Sequence, residues 1–600
     1  MTSPASPPDP AAERIAAIVG RALADAADGA RDDSRGDGVD DAPPAPDDGE
    51  EDRLPSDSHD PDINIDAVRS CAGLDHSDTD NALRLRKHFG ADLMVVARQG
   101  VAGGDWAGWT GAFWDIGNGA ALSIMTCQKL GARIGLEAGF LNLSESEEAE
   151  VAKARPLRNT PAKERSASDN ETVDRADSLI KGLSGRRSAR RKFAVTSKNV
   201  GRIEAMLKMA SPHLRIEPDS LNSAPLRFAC RSHTIEFVQE PDLECPDPDA
   251  NRMRWTCRAT PGHDRAHLIT GVVAADYDPA AQAPQWMTFL NDRLPDADKR
   301  RTVQVFSGLG LTGLLIQRLM FHYGTGANGK SVFLETLFSL YGPSMGVALP
   351  AESITGAGDR KAGGPSPDIV RLFGKRALRV SELPAGARVD MELVKRLTGG
   401  EGLAVRSLYE GYFEFVPKAK AHWSGNDKPG LDGGDYATFR RLLLVHWDTT
   451  VDEAVRRDIH DMVSDFMTEG AGILNWLIAG VLDYLNAGHK IFVAQAISED
   501  TEEYRSENDP VGEFVKDCLE FEEGEKAEAE VLFAAYKSYC AVTGRNEPLS
   551  QLKFGTALKK RVPKKGKING RVFYRGVRIG HVPQPATTGP QPDEARNGGF

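Results

Sequence analysis

The eight residues from Gly324 to Ser331, GTGANGKS, constrain this chain more than any other stretch. They fit the pattern GxxxxGK[ST], with an additional glycine at Gly326. A glycine-rich loop of this spacing turns successive backbone N–H groups inward around a polyphosphate. Its lysine then reaches the β- and γ-phosphates, and its hydroxyl ligates Mg²⁺. Gly324, Thr325, Gly326, Ala327, Asn328, Gly329, Lys330 and Ser331 are therefore expected to bind a nucleoside triphosphate, with Ser331 on the metal. Such a loop needs a strand before it and a helix after it. LMFHYG (Leu319 to Gly324) reads as a short buried strand. Beyond Ser331, Val332, Leu334, Leu337, Phe338 and Tyr341 fall at helical spacing, and the N-terminal dipole of that helix adds to the anion site. A glycine-rich surface turn would require neither flank. The stretch implies an α/β fold that uses ATP and Mg²⁺.

The acidic balance of the chain belongs to one end of it. Residues 1–60 hold 16 Asp and Glu against 5 Arg and no Lys, a net of −11 out of −13 for all 600 residues. The body is nearly neutral, so the overall sign does not argue against nucleic-acid binding. Residues 1–62 are rich in Asp, Pro, Ala and Gly and lack the apolar content to fold alone. Within them Ile15, Ile18, Val19 and Leu23 share a helical face, so residues 11–27 form either a transient helix or a docking segment. A separate primase or replication protein is the kind of partner such a segment suits. Seven scattered cysteines without a CxxC pair suit free thiols in a reducing compartment. Cys230, His233, Cys245, Cys257 and His263 lack the close pairing of a zinc knuckle. The N-terminus has no basic and apolar leader, and the longest apolar run, Ile473 to Leu482, is too short to span a bilayer. A cytoplasmic protein with no membrane partner is expected.

Between the tail and the loop, the chain reads as accessory regions at 63–180 and 181–300. The first contains WAGWTGAFWD, whose clustered aromatics serve either a small β-rich core or base stacking. Residues 144–180 are charged and helical or linker-like. The basic run KGLSGRRSARRKF (Lys181 to Phe193) is either a solvated helix face or a phosphate contact. A helix is expected from Val200 to Met209, and a second helical section begins at Trp286.

An ATPase also needs a carboxylate at the end of a strand beside the loop. RALRVSELP (Arg376 to Pro384) is an apolar strand ending in Glu382, which is assigned to catalysis and to the metal. Two adjacent acids are usual there, and this chain has Ser381-Glu382. LAVRSLYEGYFEFVP (Leu403 to Pro417) reads as a hairpin about Glu410-Gly411, with Arg406, Tyr409 and Tyr412 at or near its tip. KAKAHWSGNDKP runs as a strand into Asn426, where a polar side chain senses a γ-phosphate. FRRLLLVHW sets Arg440 and Arg441 before another apolar strand, where an arginine stabilises transition-state charge, often on a neighbour's nucleotide.

This order of loop, acid, Asn and Arg pair resembles superfamily 3 helicases, specifically the phage/plasmid and poxvirus-type primase-helicases. The likeness extends to KRLTGGEGLAVRSLYEGYFEFVPKAK, with Lys395, Gly399, Gly400 and Arg406, to GNDKP, to EGAGILNWLIAGVLDYL and to NDPVGEFVKD. It is strongest over residues 285–580 and weaker over 63–284, where Trp106, Trp109, Gly111 and Trp114 match a family pattern. The resemblance implies an AAA+-like P-loop ATPase core at 301–490, assembled as a homo-oligomeric ring, usually a hexamer. ATP would lie at subunit interfaces, and hairpins carrying Lys395, Arg406, Tyr409 and Tyr412 would line a channel for single-stranded and forked DNA. It also implies that Lys330 and Ser331 bind phosphate and Mg²⁺, Glu382 is the catalytic acid, Asn426 the sensor, and Arg440 or Arg441 a finger in trans. The setting implied is replication of phage, prophage or plasmid DNA in a bacterial cell.

After a linker at 491–510, residues 511–580 read as three helices and a hairpin turned by Asn569-Gly570, a winged-helix pattern. From Lys553 to Arg578 there are ten Lys and Arg and no acid. Lys559, Lys560, Lys564, Lys565, Arg571 and Arg575 are the expected DNA contacts. Residues 581–600 read as a second tail. No paired-carboxylate strand of a nucleotidyl transferase stands out in 63–284, so priming activity is not expected. The competing reading is a winged-helix DNA-binding protein whose ATP site is a switch rather than a motor.

Overall fold

The computed structural model describes residues 63–98, 103–242, 252–355, 367–383, 389–405, 413–430, 439–544, 548–562, 565–568 and 570–582. The expected helix at 11–27, both tails, the hairpin tip with Arg406, Tyr409 and Tyr412, Cys245 and Lys564 lie outside the described residues. The chain divides into two units, Met1–Ile63 and Asn64–Phe600. The second unit is a mixed α/β structure.

The first part of this unit wraps helices around a small sheet. Helices α1 (Ile65–Cys71), α2 (Asp78–Phe89), α3 (Gly119–Glu137), α4 (Glu145–Leu157), α5 (Ala167–Thr196) and α6 (Val200–Ala210) accompany strands β1 (Leu93–Ala97), β2 (Gly104–Trp109), β3 (Trp114–Asp115) and β4 (Arg215–Ile216). The strand order is β3-β2-β1-β4. The tryptophan-rich segment serves this sheet. Trp114 is buried and lies 5.5 Å from the Trp109 ring, and its indole donates to Arg265 O at 3.0 Å. Much of the basic run on α5 is also used internally. Arg190 and Arg84 enclose the fully buried Glu137, Arg186 pairs with Glu147, and Arg187 donates to Leu141 O. Two guanidinium groups around one buried carboxylate satisfy a charge that could not otherwise leave water.

A second sheet, ordered β7-β6-β5-β8, joins β5 (Arg227–Cys230), β6 (His233–Pro241), β7 (Met253–Pro261) and β8 (Val272–Val273). Helices α7 (Pro284–Arg293) and α8 (Ala297–Leu309) then lead into the main sheet. That sheet holds β9 (Leu319–Tyr323), β10 (Gly346–Leu349), β11 (Ala377–Leu383), β14 (Lys420–Gly425) and β15 (Leu442–His446), in the order β10-β11-β14-β9-β15. Every pairing in it is parallel. Such strands are covered on both faces, which is why LMFHY and LLLVH read as continuous apolar runs rather than alternating ones.

Leu319, Phe321, Leu442 and Leu444 pack on one face with Val380 and Trp423. Met320, Leu443 and Val445 pack on the other face with α8, with the loop-following helix α9 (Lys330–Met345) and with the later α12 (Gly470–Asn486). The short hairpin β12 (Leu403–Val405) and β13 (Phe413–Phe415) follows α10 (Met391–Gly399), and α11 (Ile459–Thr468) follows β15.

Helix α13 (Gln495–Asn508) leads to α14 (Pro510–Cys518), α15 (Ala529–Val542) and α16 (Gln551–Arg561). These helices pack with β16 (Leu519–Glu520), β17 (Lys526–Glu528), β18 (Lys565–Ile568), β19 (Arg571–Arg575) and β20 (Arg578–Ile579), in sheets β17-β19-β18 and β16-β20. Phe514, Tyr536, Phe554, Leu558 and Tyr574 form their common core. Ser550 caps α16 by accepting from Lys553 N, and Asp509 caps α14 by accepting from Gly512 N. Among the described residues no helix is long and apolar enough to cross a membrane.

Candidate nucleotide-binding site

The strand order dictates what meets at the phosphate loop. β9 lies between β14 and β15, so its loop emerges beside the carboxyl ends of both, with that of β11 one strand further away. Ligands of open parallel sheets bind outside such ends. A cavity of about 800 Å³ is found there, lined by Gly326 to Val332, Glu382, Ser424, Asn426 and Asp427. The loop runs through left-handed backbone at Ala327 (φ 59°) and Gly329 (φ 92°), and α9 begins directly after it. At Gly329 an added Cβ would lie 3.1 Å from both the Phe289 ring and Arg293 Cγ, so glycine permits both the φ and the close packing.

Lys330 turns back onto the loop. Its ammonium donates to Gly324 O at 2.6 Å and to Asn328 Oδ1 at 3.0 Å. Burial lowers its pKa to about 8. Asn328 in turn donates to Thr325 O at 2.5 Å and to Trp447 O at 3.0 Å, tying the loop to the end of β15. Beneath it runs a buried chain of donors. The Trp447 indole donates to His322 Nδ1 at 3.1 Å, which leaves His322 Nε2 to donate to His422 Nδ1 at 3.2 Å. Burial is the main reason that both imidazoles are held below their usual pKa, His422 at about 3. Both are therefore neutral at physiological pH, and the donor order is fixed by the indole.

Glu382 is exposed to the cavity in a conformation that the sequence does not announce. Val380 pairs with Trp423 and Leu383 pairs with Gly425, so two residues of β11 face one of β14. This bulge puts Glu382 at φ 57°, a left-handed conformation that is rare for a non-glycine residue. Bulges of this kind re-aim a side chain beside functional sites. Asn426 follows the last residue of β14, and its carbonyl accepts from Gly324 N at 3.3 Å. Glu382, Asn426, Lys330 and Ser331 thus share one cavity. Arg440 and Arg441 do not line it. Arg440 is exposed, whereas Arg441 is buried at the foot of β15.

The opposite wall went unrecognised in the sequence. α7 supplies Gln285, Thr288, Phe289 and Arg293, and the segment after β15 supplies Val451, Val455, Arg456, Arg457, Ile459, Met462 and Phe466. Trp286 anchors α7 by stacking on Phe333 of α9 at 5.6 Å, and the Glu469 carboxylate caps the helix by accepting from Gln285 N and Trp286 N. Val451 N donates to Ala327 O, so the later segment is fastened to the phosphate loop itself. Apolar surface beside a phosphate cradle, with room for more than phosphates, fits the base and sugar of a nucleotide. The oxygen donors Ser331 and Glu382 in the same cavity are of the type that Mg²⁺ takes.

Of the expected DNA contacts, Lys395 lies on α10 and pairs with Glu392 at 3.0 Å. Lys559 and Lys560 are exposed in the last turn of α16, and Lys565 and Arg575 are exposed on the hairpin. Arg571 is paired with Glu528 at 3.2 Å, and two further cations of the basic run are also held by acids, Arg561 by Asp509 and Arg578 by Glu520 and Glu522. Elsewhere Cys71, His88 and Glu137 come close enough to share an ion, but the Glu137 carboxylate is already taken by Arg84 and Arg190.

A family model described as "D5 N terminal like" matches residues 82–295, and one described as "Poxvirus D5 protein-like" matches residues 506–580. The matched stretches flank the main sheet. A protein of Frog virus 3 (isolate Goorha) called "Putative helicase 022R" is 32% identical over 136 residues, which is 22% of this chain and 14% of that protein. "Putative helicase L207/L206" of Acanthamoeba polyphaga mimivirus is 29% identical over 162 residues, 26% of this chain and 16% of that protein. The chain therefore aligns with less than a fifth of the length of these curated relatives. Among solved structures, the apo C-terminal region of NrS-1 aligns over 50% of this chain and 78% of that one, with 11% identity and a TM-score of 0.32. Both family matches are to D5-type models, and both of these viral relatives are called putative helicases.

Proposed function

We propose that this chain is an ATP-dependent DNA helicase that assembles as a ring, usually a hexamer in this superfamily, and translocates on single-stranded DNA. The observation that carries the reading is the convergence of Lys330, Ser331, Glu382 and Asn426 on one cavity, with Phe289, Ile459, Met462 and Phe466 among the residues of the opposite wall. Residues 301–490 act as an AAA+-like ATPase, 181–300 as a collar before it, and 511–580 as a winged helix. Lys330 holds the β- and γ-phosphates. Ser331 and Glu382 hold Mg²⁺, which neutralises phosphate charge when bound. Glu382 also orients and deprotonates the attacking water, and Asn426 hydrogen-bonds the γ-phosphate or that water. Arg440 rather than Arg441 is the finger offered to a neighbouring subunit, because it is exposed and outside its own cavity. The winged helix holds the duplex side of a fork through Lys559, Lys560, Lys565 and Arg575, contacts that position the protein rather than read sequence. The setting is replication of phage, prophage or plasmid DNA in a host cell, with priming supplied by a separate protein.

The test is ATP hydrolysis and strand separation by the full chain, with and without single-stranded DNA. Both are expected, with turnover stimulated by DNA, and both are lost in Lys330→Ala. Slow turnover indifferent to DNA, without unwinding, would replace the motor with an ATP-switched DNA-binding protein.

A further inference from the structure

Helix α13 joins the main sheet to the C-terminal module, and it touches several parts of the nucleotide site at once. Tyr504, 3% exposed, donates its hydroxyl to Pro429 O, three residues beyond Asn426. Its ring lies edge-on to Phe439, the neighbour of Arg440, at 5.8 Å. The Lys428 ammonium sits between two aromatic rings, 5.4 Å from that of Tyr504 and 5.7 Å from that of Tyr323. It also reaches Glu507 on α13 at 3.5 Å. Tyr323 is the residue before the phosphate loop, and its hydroxyl pKa is raised by burial and then by the charge of Asp500 on α13. At its far end α13 passes directly into α14. Asp509 caps α14 and accepts from Arg561 of α16 at 2.5 Å, while Ser506 bonds Glu513 at 3.2 Å.

We propose that Lys428 and Tyr504 are positioning residues of the nucleotide site, through which the C-terminal module sets the Asn426 loop. The inference rests on the nucleotide-site reading above and adds the link to the module. Past Asn426 the chain leaves the sheet, and among the described residues its backbone is held by Gly324 N to Asn426 O and Val389 N to Gly430 O. Side-chain contacts add to these: Tyr504 of α13 bonds Pro429 O, and Lys428 meets Tyr504 and Glu507 of α13 as well as Tyr323 of β9. A half-buried lysine between two rings is a poor choice for packing alone, since an apolar side chain would fill the space without desolvating a charge. It is a good choice for a contact that holds in one arrangement of α13 and loosens in another. When DNA engages the C-terminal module, α13 moves with α14 and carries Pro429 and Lys428. Asn426 then meets or misses the γ-phosphate. Because such coupling is reciprocal, ATP on the loop changes the affinity of the module for DNA by the same factor.

The experiment uses the full chain and a mixed-sequence single-stranded oligonucleotide, measuring kcat and KM for ATP with and without it. Lys428→Met and Tyr504→Phe keep most of the packing and remove the charge or the hydroxyl. In both, DNA stimulation of kcat is expected to fall by about fivefold or more, while KM stays within about twofold. Lys428→Arg keeps the cation and restores stimulation. Glu507→Gln, at an exposed position, gives a second variant with a partial loss. Stimulation equal to wild type in Lys428→Met and Tyr504→Phe overturns the proposal, as does a Lys428→Arg protein that behaves like Lys428→Met. Lys330→Ala is run alongside. If it binds ATP as well as wild type, the site reading itself is wrong and the proposal falls with it. If it loses ATP while the Lys428 and Tyr504 variants behave as wild type, only the proposal falls.

Discussion

If Lys330 holds the phosphates as proposed, the affinity for ATP depends on pH in a direction that its burial sets. Burial brings its pKa down to about 8 in the free protein, where its partners are three neutral oxygens, Gly324 O, Thr325 O and Asn328 Oδ1. Only the ammonium form attracts a triphosphate, and bound phosphate raises the pKa again. Above the free-state pKa, binding must take up a proton, so affinity falls as pH rises. Below it the site is already charged and affinity is flat. Going from about pH 7 to about pH 9, the charged fraction drops from about nine-tenths to about one-tenth, so Kd rises roughly tenfold. Saturated with Mg²⁺, the triphosphate keeps its full charge over that interval and contributes nothing. The assay is titration of a fluorescent ATP analogue at constant Mg²⁺ and ionic strength across the interval. Lys330→Arg is the control, because a guanidinium stays charged throughout. A wild-type Kd that does not change across the interval, or a Lys330→Arg protein with the same slope as wild type, would refute the assignment of the titrating group.

Three other outcomes are expected. Glu382→Gln retains ATP binding and loses about a hundredfold or more in turnover, read by steady-state hydrolysis; unchanged turnover would remove its catalytic role. Arg440→Ala subunits, inactive alone, recover part of their hydrolysis when mixed with Lys330→Ala subunits, since each supplies what the other lacks across an interface. Mixing without recovery would leave the arginine with no role in trans. Lys559→Ala with Lys560→Ala flattens the slope of log affinity for DNA against log salt by about one per cation removed, whereas Arg571→Ala changes it less because Glu528 already neutralises that side chain.

The parts of the site that were legible in the sequence are those written in consecutive residues. The phosphate loop, the strand before it and the helix after it are specified by local spacing, and Asn426 follows from its place at the end of an apolar run. What was not legible is assembled from a distance. Phe289, Ile459, Met462 and Phe466 look like ordinary core residues, and only the packing of α11 against α9 and the stacking of Trp286 on Phe333 turn them into one cavity wall. The bulge at Ser381-Glu382 depends on a mismatch with β14, a strand that the residues of β11 do not describe. The same holds for charge. The basic run at the C-terminal end counts ten cations, but its partners Asp509, Glu520, Glu522 and Glu528 lie outside the run and pair three of them, Arg561, Arg571 and Arg578. The basic run on α5 is likewise absorbed, most fully at Arg190, because Glu137 reaches it from another helix.

The chain from Trp447 through His322 to His422 also gives the protein an optical reporter. Trp447 is 1% exposed, its carbonyl holds Asn328 of the phosphate loop, and its indole is bonded to an imidazole that stays neutral. A neutral histidine quenches indole emission far less than a charged one, so this tryptophan emits from a dry and unusually constant setting. On the proposed reading, a phosphate in the loop competes with Asn328 Oδ1 for the Lys330 ammonium and so alters the field at that indole. Intrinsic fluorescence should therefore follow nucleotide binding without any label, and the signal should vanish in Trp447→Phe while the other seven tryptophans remain.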